Sequence, residues 1–209
     1  MSKSAKLINV EPDIEIAVSE AKKIYYSGGI FIYPTDTIYG FGCNPFNDTA
    51  LQKLNRIKGR GEQKQYILLV DSVNTLLKYI DLDDDQIIIM LKNIWPNPIS
   101  FILNLNYKTK NLLKHDAAAF RIPDNTFCLN LLSELKAPLI STSVNISNQQ
   151  TLTDYPSIKN EFADKVEAIF FMNYKENTGA STLVDLTKKH PKILREGKIN
   201  FIELWQKLN

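Results

Sequence analysis

Three short polar clusters hold the residue types from which a site could be built. The first, Pro34-Thr35-Asp36-Thr37-Ile38-Tyr39-Gly40-Phe41-Gly42, brings two hydroxyls, a carboxylate and two glycines into one short stretch. A plain polar turn accounts for it equally well, since Asp and Thr are common turn residues and glycine supplies positive φ. The second is Lys58-Gly59-Arg60 with Lys64 close behind. If the chain is extended there, Lys58 and Arg60 point to one side, as i and i+2 must. Two cations facing one partner suit a triphosphate, because arginine offers a planar fork and lysine a mobile point charge. The competing reading is that basic residues at a helix C-terminus complement its dipole, worth about 0.3–1 kcal/mol. The third is Ser141-Thr142-Ser143-Val144-Asn145-Ile146-Ser147. Its hydroxyls can donate and accept, so they fit phosphate oxygens, a carboxylate or a ribose alike, and a Ser/Thr-rich turn leading to a helix cap is the alternative.

These clusters sit where the surrounding pattern predicts the ends of elements, the first and third at strand ends and the second at a helix end. Pro12-Asp13 opens an amphipathic helix through Ile14, Ala17, Ala21, Ile24 and Tyr25 that stops at Gly28-Gly29, and the apolar run Ile30 to Tyr33 reads as a buried strand ending at Pro34. Asp48 looks like an N-cap for a helix carrying Leu51, Leu54 and Ile57 to Lys58-Gly59. A strand at Tyr66 to Val70 precedes helices capped by Ser72 and by Asp83-Asp84-Asp85, the second stopped at Pro96. Strands are expected at Ile99 to Leu105, Ala118 to Ile122, Leu139 to Thr142, Ile169 to Met172, Thr182 to Leu186 and Ile193 to Arg195. Helices are expected from Asn125 to Lys136, from Tyr155 to Val166 and from Phe201 to Leu208. Interleaved strands and helices predict an α/β sheet, and strands without a helix between them at Ile99 to Ile122 and Ile169 to Arg195 make it mixed. Open α/β sheets present binding crevices at strand ends, where the first and third clusters fall, while the second lies between a helix end and the next strand.

Composition narrows the class without choosing a function. A chain of 209 residues, 44% hydrophobic and 23% charged, is ordinary for one α/β domain and excludes a disordered or membrane class. One domain over 1–209 is the expectation. The longest strongly apolar stretch, Ile87 to Leu91, is far below the ~20 residues of a spanning helix, and Met1 to Lys6 leads into no signal core, so a cytoplasmic protein is expected. Cys43, Cys128, His115 and His190 show no metal-ligand spacing. A net charge of +2 is too small to be a nucleic-acid footprint, although a local basic surface allows weak RNA binding. Neither a Walker loop nor a Gly-x-Gly-x-x-Gly fingerprint is present, nor a nucleophile, base and orienter of the hydrolase type.

The joint order of the motifs is more specific than any one of them. Tyr33 to Gly42, Leu54 to Arg60 with Ile67 to Val70, Trp95-Pro96, Phe120-Arg121-Ile122-Pro123, Ser141 to Ser147, Ser181-Thr182 with Asp185, and Arg195-Glu196-Gly197 together resemble the YrdC/TsaC family of threonylcarbamoyl-AMP synthases, from about residue 12 to about residue 200. The resemblance implies a twisted mixed sheet flanked by helices with a concave basic cleft. It also implies condensation of L-threonine, bicarbonate and ATP to threonylcarbamoyl-AMP and pyrophosphate, with magnesium carried by the nucleotide. The product would pass to a tRNA threonylcarbamoyl-transferase complex acting beside the anticodon. By position, Thr37, Arg121, Ser141 and Ser181 match threonine-contacting residues. Arg60, Lys64, Ala117, Ser143, Thr151 and Arg195 match ATP-contacting ones, and Lys58, Arg60, Ser143 and Asn145 match active-site ones.

Some positions depart from the family pattern. Asn97 stands between the prolines after Trp95 where glycine is frequent, Asn148 replaces a glycine after Ser147, and Ala180 replaces a proline. Gln65-Tyr66 stands where Pro-Leu is usual, and Ala117 where relatives can have threonine, so any nucleotide contact there would come from backbone. Alternatives are a paralogue of the same fold with a different acceptor, or an RNA-binding module; the retained Lys58 and Arg60 speak against the first, and the lack of an aromatic RNA-recognition motif against the second.

Overall fold

The computed structural model describes residues 4–59, 66–173 and 179–208. The strands are β1 (Lys6–Asn9), β2 (Phe31–Tyr33), β3 (Gly40–Gly42), β4 (Ile67–Leu69), β5 (Ile99–Asn104), β6 (Ala117–Arg121), β7 (Leu139–Ser143), β8 (Ala168–Phe171), β9 (Thr182–Asp185) and β10 (Lys192–Arg195). They form one ten-stranded sheet in the order β1-β8-β2-β3-β7-β4-β6-β5-β9-β10. Pairing is parallel at β1/β8, β2/β8, β4/β6 and β5/β9 and antiparallel elsewhere, which is the mixed sheet expected from the sequence. The helices are α1 (Ile14–Tyr26), α2 (Asp48–Ile57), α3 (Val73–Leu76), α4 (Asp85–Ile94), α5 (Tyr107–Leu113), α6 (Thr126–Leu135), α7 (Tyr155–Phe162) and α8 (Phe201–Leu208).

Side chains alternate along each strand, so the sheet builds a separate core on each face. Ile32, Leu68, Phe120 and Ile140 enter one core together with Leu54 of α2, Leu91 of α4 and Phe162 of α7. Phe31, Tyr33, Leu69 and Leu139 enter the other, beneath Ala17 and Ala21 of α1 and Phe127 and Leu131 of α6. The small Ala17 and Ala21 let α1 approach the sheet closely, and both are fully buried. Helix starts follow capping chemistry: Asp13 accepts from Ile16 N at 3.0 Å, Ser72 from Thr75 N at 3.1 Å and Asn125 from Cys128 N at 3.0 Å.

Several local expectations are corrected. Asn47, rather than Asp48, caps α2, accepting from Ala50 N at 2.9 Å, and Asp48 becomes the first helical residue. The stretch between β5 and β6 holds the seven-residue α5, which is mostly polar and so lacks the periodic stripe that marks a helix; Asn106 caps it through Thr109 N at 3.0 Å. The Gly40–Gly42 strand also escapes pattern reading, because glycine is a poor strand former. It belongs here since a Cβ on Gly42 would lie 2.7 Å from Tyr33 Cε1 and 3.0 Å from Phe31 Cε2. Asn148 takes the left-handed conformation at φ 68°, which its short polar side chain tolerates, so the turn survives the loss of glycine.

Candidate active site

α1 and α6 cover only part of their sheet face. Beyond them, the same face opens as a cavity of about 280 Å³ floored by Ile67, Ile102, Ala119 and Leu183 and walled by Thr37, Arg121, Ser141, Ser143, Ser181 and Arg195. The strands explain this convergence. On β6, Ala117, Ala119 and Arg121 share one face, while Ala118 and Phe120 go to the opposite core. On β7, Leu139 belongs to the covered core, and Ser141 and Ser143, two and four residues on, reach the cavity. Gly40 lies across from Ser143 in the β3/β7 ladder, and a Cβ there would come within 3.0 Å of Ser141 Oγ.

Arg121 is the more buried of the two cations lining the cavity among the described residues. It is 3% exposed, and its Nη2 pairs with Asp36 Oδ1 at 3.2 Å while its Nη1 donates to Thr37 Oγ1 at 3.1 Å. Thr35 Oγ1 gives its proton to Ile38 O at 2.7 Å, so in the 2.9 Å contact between the two threonines it is Thr37 that donates. The loop after β2 is thereby ordered by a directed chain from guanidinium to carbonyl. Pro34 O is held from behind by Cys128 Sγ at 3.3 Å. The Arg121 Nε is a buried donor with no hydrogen-bond partner among the described residues, a group that a bound carboxylate would satisfy.

A second cation stands across the cavity. Arg195 donates from Nε to Ser181 O at 3.0 Å and from Nη2 to Ser181 Oγ at 3.1 Å, and Ser181 Oγ lies 3.0 Å from the fully buried Ser100 Oγ. Desolvation, and behind it the like charge of Arg121, draws the Arg195 pKa below the ordinary arginine value. An anion between two guanidiniums relieves that repulsion, and Asp36 already offsets Arg121, so among the described residues lining the cavity Arg195 supplies the uncompensated charge. Backbone packing fixes the β9/β10 corner that presents it. A Cβ on Gly197 would sit 2.4 Å from Ser181 C and Thr182 N, and Thr182 Oγ1 donates to Ile199 O at 2.6 Å while accepting from Gly197 N and Ile199 N at 3.2 Å.

A profile of the Sua5/YciO/YrdC family, described as telomere recombination, matches residues 23–197. The chain belongs to that family. Among solved structures it is similar to a variant of P. abyssi Sua5 at 25% identity and a TM-score of 0.88, over 97% of this chain and 63% of that one. It is similar also to P. abyssi Sua5 complexed with L-threonine, at 23% identity and a TM-score of 0.87, over 99% of this chain and 61% of that one. With E. coli YciO it shares 27% identity and a TM-score of 0.82, over 96% of this chain and 98% of that one. The chain thus spans somewhat under two thirds of Sua5 and nearly the whole of YciO.

Of the residues singled out in the sequence, Thr37, Arg121, Ser141, Ser143, Ser181 and Arg195 line this one cavity. Ala117 lies one strand repeat beyond Ala119 on the same face, and Thr151 is half-buried in the loop after β7; neither lines the cavity. Arg60 and Lys64 lie outside the described residues. Lys58 does not continue an extended chain with its neighbour: it caps α2 at φ −81° and ψ −4°, and Gly59 follows at φ 56°, so the backbone turns. Its side chain is fully buried, 5.3 Å over the Phe41 ring, and reaches Ser143 O, Asn145 O and Asn145 Oδ1.

Sequence reading gave no role to three features. Asp36 was visible in the first cluster, but nothing local marks it as the partner of Arg121, 85 positions away. Tyr66 lines the cavity edge, and its hydroxyl donates to Asn55 Oδ1, tying β4 to α2. The apolar floor was legible only as strand alternation.

Proposed function

We propose that this chain is an L-threonylcarbamoyladenylate synthase that condenses L-threonine, bicarbonate and ATP, acting in the cytoplasm ahead of a tRNA-modifying complex. The observation that carries it is the pairing of a buried, loop-organised Arg121 with a second guanidinium, Arg195, across one small cavity lined by serine hydroxyls, in a family whose P. abyssi Sua5 has been crystallised with L-threonine. Arg121 would take the threonine carboxylate as a planar fork, held at its angle by Asp36 and Thr37. Ser141 and Ser181 would complete that subsite, and Arg195 would face the nucleotide's phosphates.

The chemistry asks for positioning and charge neutralisation rather than a protein nucleophile. The threonine nitrogen forms a bond to the bicarbonate carbon, with water leaving and the amine giving up a proton. A carbamate oxygen then attacks the α-phosphorus, the bond to the bridging oxygen breaks, and pyrophosphate departs with that electron pair. Magnesium would arrive with the nucleotide substrate and supply further positive charge while keeping several of its waters.

The test is pyrophosphate release by the purified protein with ATP, magnesium and bicarbonate, with and without L-threonine and with L-serine as control. Release that requires both threonine and bicarbonate supports the proposal; threonine-independent release, or none from folded protein, refutes it. The second reading is a paralogue of the same fold that uses the same cavity for another acceptor. Release driven by a different amine and not by threonine would select it.

A further inference from the structure

The fully buried Lys58 ammonium does not reach the cavity; it reaches behind the residues that line it. Its Nζ lies 2.6 Å from Ser143 O, 3.0 Å from Asn145 O and 3.1 Å from Asn145 Oδ1. An ammonium only donates, so the Asn145 side-chain atom facing it is the amide oxygen. The other end of that amide lies 2.7 Å from Gln149 O, a carbonyl that only accepts, so that end is the NH₂. The amide orientation is fixed twice over. Ser143 Oγ lies 2.7 Å from the same Asn145 Oδ1, and between a hydroxyl and an amide oxygen the hydroxyl must be the donor. Its one proton therefore points away from the ligand space, and the lone pairs of Ser143 Oγ are what it can offer to the cavity that it lines.

We infer that Lys58 and Asn145 are positioning residues that set the polarity of Ser143, making it a hydrogen-bond acceptor for an N–H or O–H of the nucleotide's nucleoside part rather than a donor to a phosphate oxygen. The inference rests on the proposed ATP-binding function. It separates Ser143 from Arg195, which as a pure donor is the side chain suited to phosphate. Lys58 acts through the backbone as well, because its two carbonyl contacts hold the turn from Ser143 to Asn145, and Ser147 N returns the grip by donating to Lys58 O at 2.8 Å.

The test compares Asn145→Asp, Asn145→Ala and Lys58→Met, each with Ser143 present and in the Ser143→Ala background. ATP affinity is read by calorimetry and turnover as separate kcat and KM. Asn145→Asp and Asn145→Ala both lose the bond to Gln149 O, but only the aspartate keeps an acceptor for Lys58 and Ser143. The expected result is that Asn145→Ala and Lys58→Met weaken ATP binding by about tenfold more than Asn145→Asp does, and that this difference shrinks to about twofold once Ser143 is removed. Equal losses from the Asp and Ala variants, or losses unchanged in the Ser143→Ala background, overturn the inference.

Urea unfolding of the same Lys58 and Ser143 double-mutant cycle reads the network without any ligand. Midpoint shifts that are non-additive support the relay, and additive shifts contradict it. Wild-type protein that fails to bind ATP would sink the proposed function, while the unfolding cycle would still decide whether Lys58 and Ser143 are coupled.

Discussion

One face of the sheet carries two unlike regions, and β7 runs through both. At its start Leu139 is fully buried under α6 with Leu131 and Phe127, while Ser141 and Ser143, on the same side, stand at the open cavity. β4 makes the same transition, from Leu69 in the covered core to Ile67 on the cavity floor. Where helices cover the face, apolar contacts hold the fold; where they stop, hydroxyls and guanidiniums stand around an apolar floor. The site is the uncovered continuation of the core, built on rigid strands, which suits chemistry that depends on positioning.

If this division is real, mutations should separate stability from activity along one face. The largest effect is expected for Arg121→Ala, which should lower kcat/KM by about a hundredfold or more. It should also destabilise the fold by about 3–5 kcal/mol by stranding the buried Asp36, and Arg121→Lys should recover more stability than turnover. Steady-state kinetics beside urea unfolding checks both. Full turnover in Arg121→Ala would break the account of the open region.

In the covered region the order reverses. Leu131→Ala should cost about 2–5 kcal/mol of unfolding free energy while leaving the kcat/KM of the folded fraction unchanged. Arg195→Ala should weaken nucleotide binding by about tenfold or more and move the thermal midpoint less than Arg121→Ala does, because its two bonds to Ser181 are only partly buried and no buried carboxylate is stranded. The smallest effect concerns Glu20 on α1, whose carboxyl is lowered from 4.5 to about 2, chiefly by the hydrogen bond from Lys23 and then by that from Lys6. A depressed folded-state pKa gives stability that is present above the unfolded value and lost as pH falls from 4.5 towards about 2. Glu20→Gln should therefore reduce stability slightly at pH 7, by less than about 1 kcal/mol for a surface pair, and leave the acid-unfolding curve shallower. Circular dichroism across that pH range checks the sign.

Sequence alone carried most of the fold because the core strands are short apolar runs and the helices have caps. β1, β3 and α5 were missed because each is short and weakly patterned: Lys6–Asn9 has two apolar residues between polar ends, Gly40–Gly42 has one strand-forming side chain between two glycines, and Tyr107–Leu113 has too few apolar residues to show a period. Thr37, Arg121, Ser141, Ser181 and Arg195 were legible through motif order, and the strand register brings them to one cavity. Lys58 shows the limit of such reading. A lysine at a helix end looks the same in sequence whether its ammonium faces solvent, a phosphate or three carbonyl oxygens of the protein, and only the turn of chain at Gly59 and the position of the Ser143 turn decide between them.

The most direct test of the account is amide chemical-shift mapping by NMR as L-threonine is added to the protein with ATP and magnesium present. The account predicts saturable shifts concentrated at Thr37, Arg121, Ser141 and Ser181, with those of α1 and the buried part of α6 unmoved. Shifts centred instead on the separate cavity between α4 and Trp205, or none at saturating threonine, would contradict it.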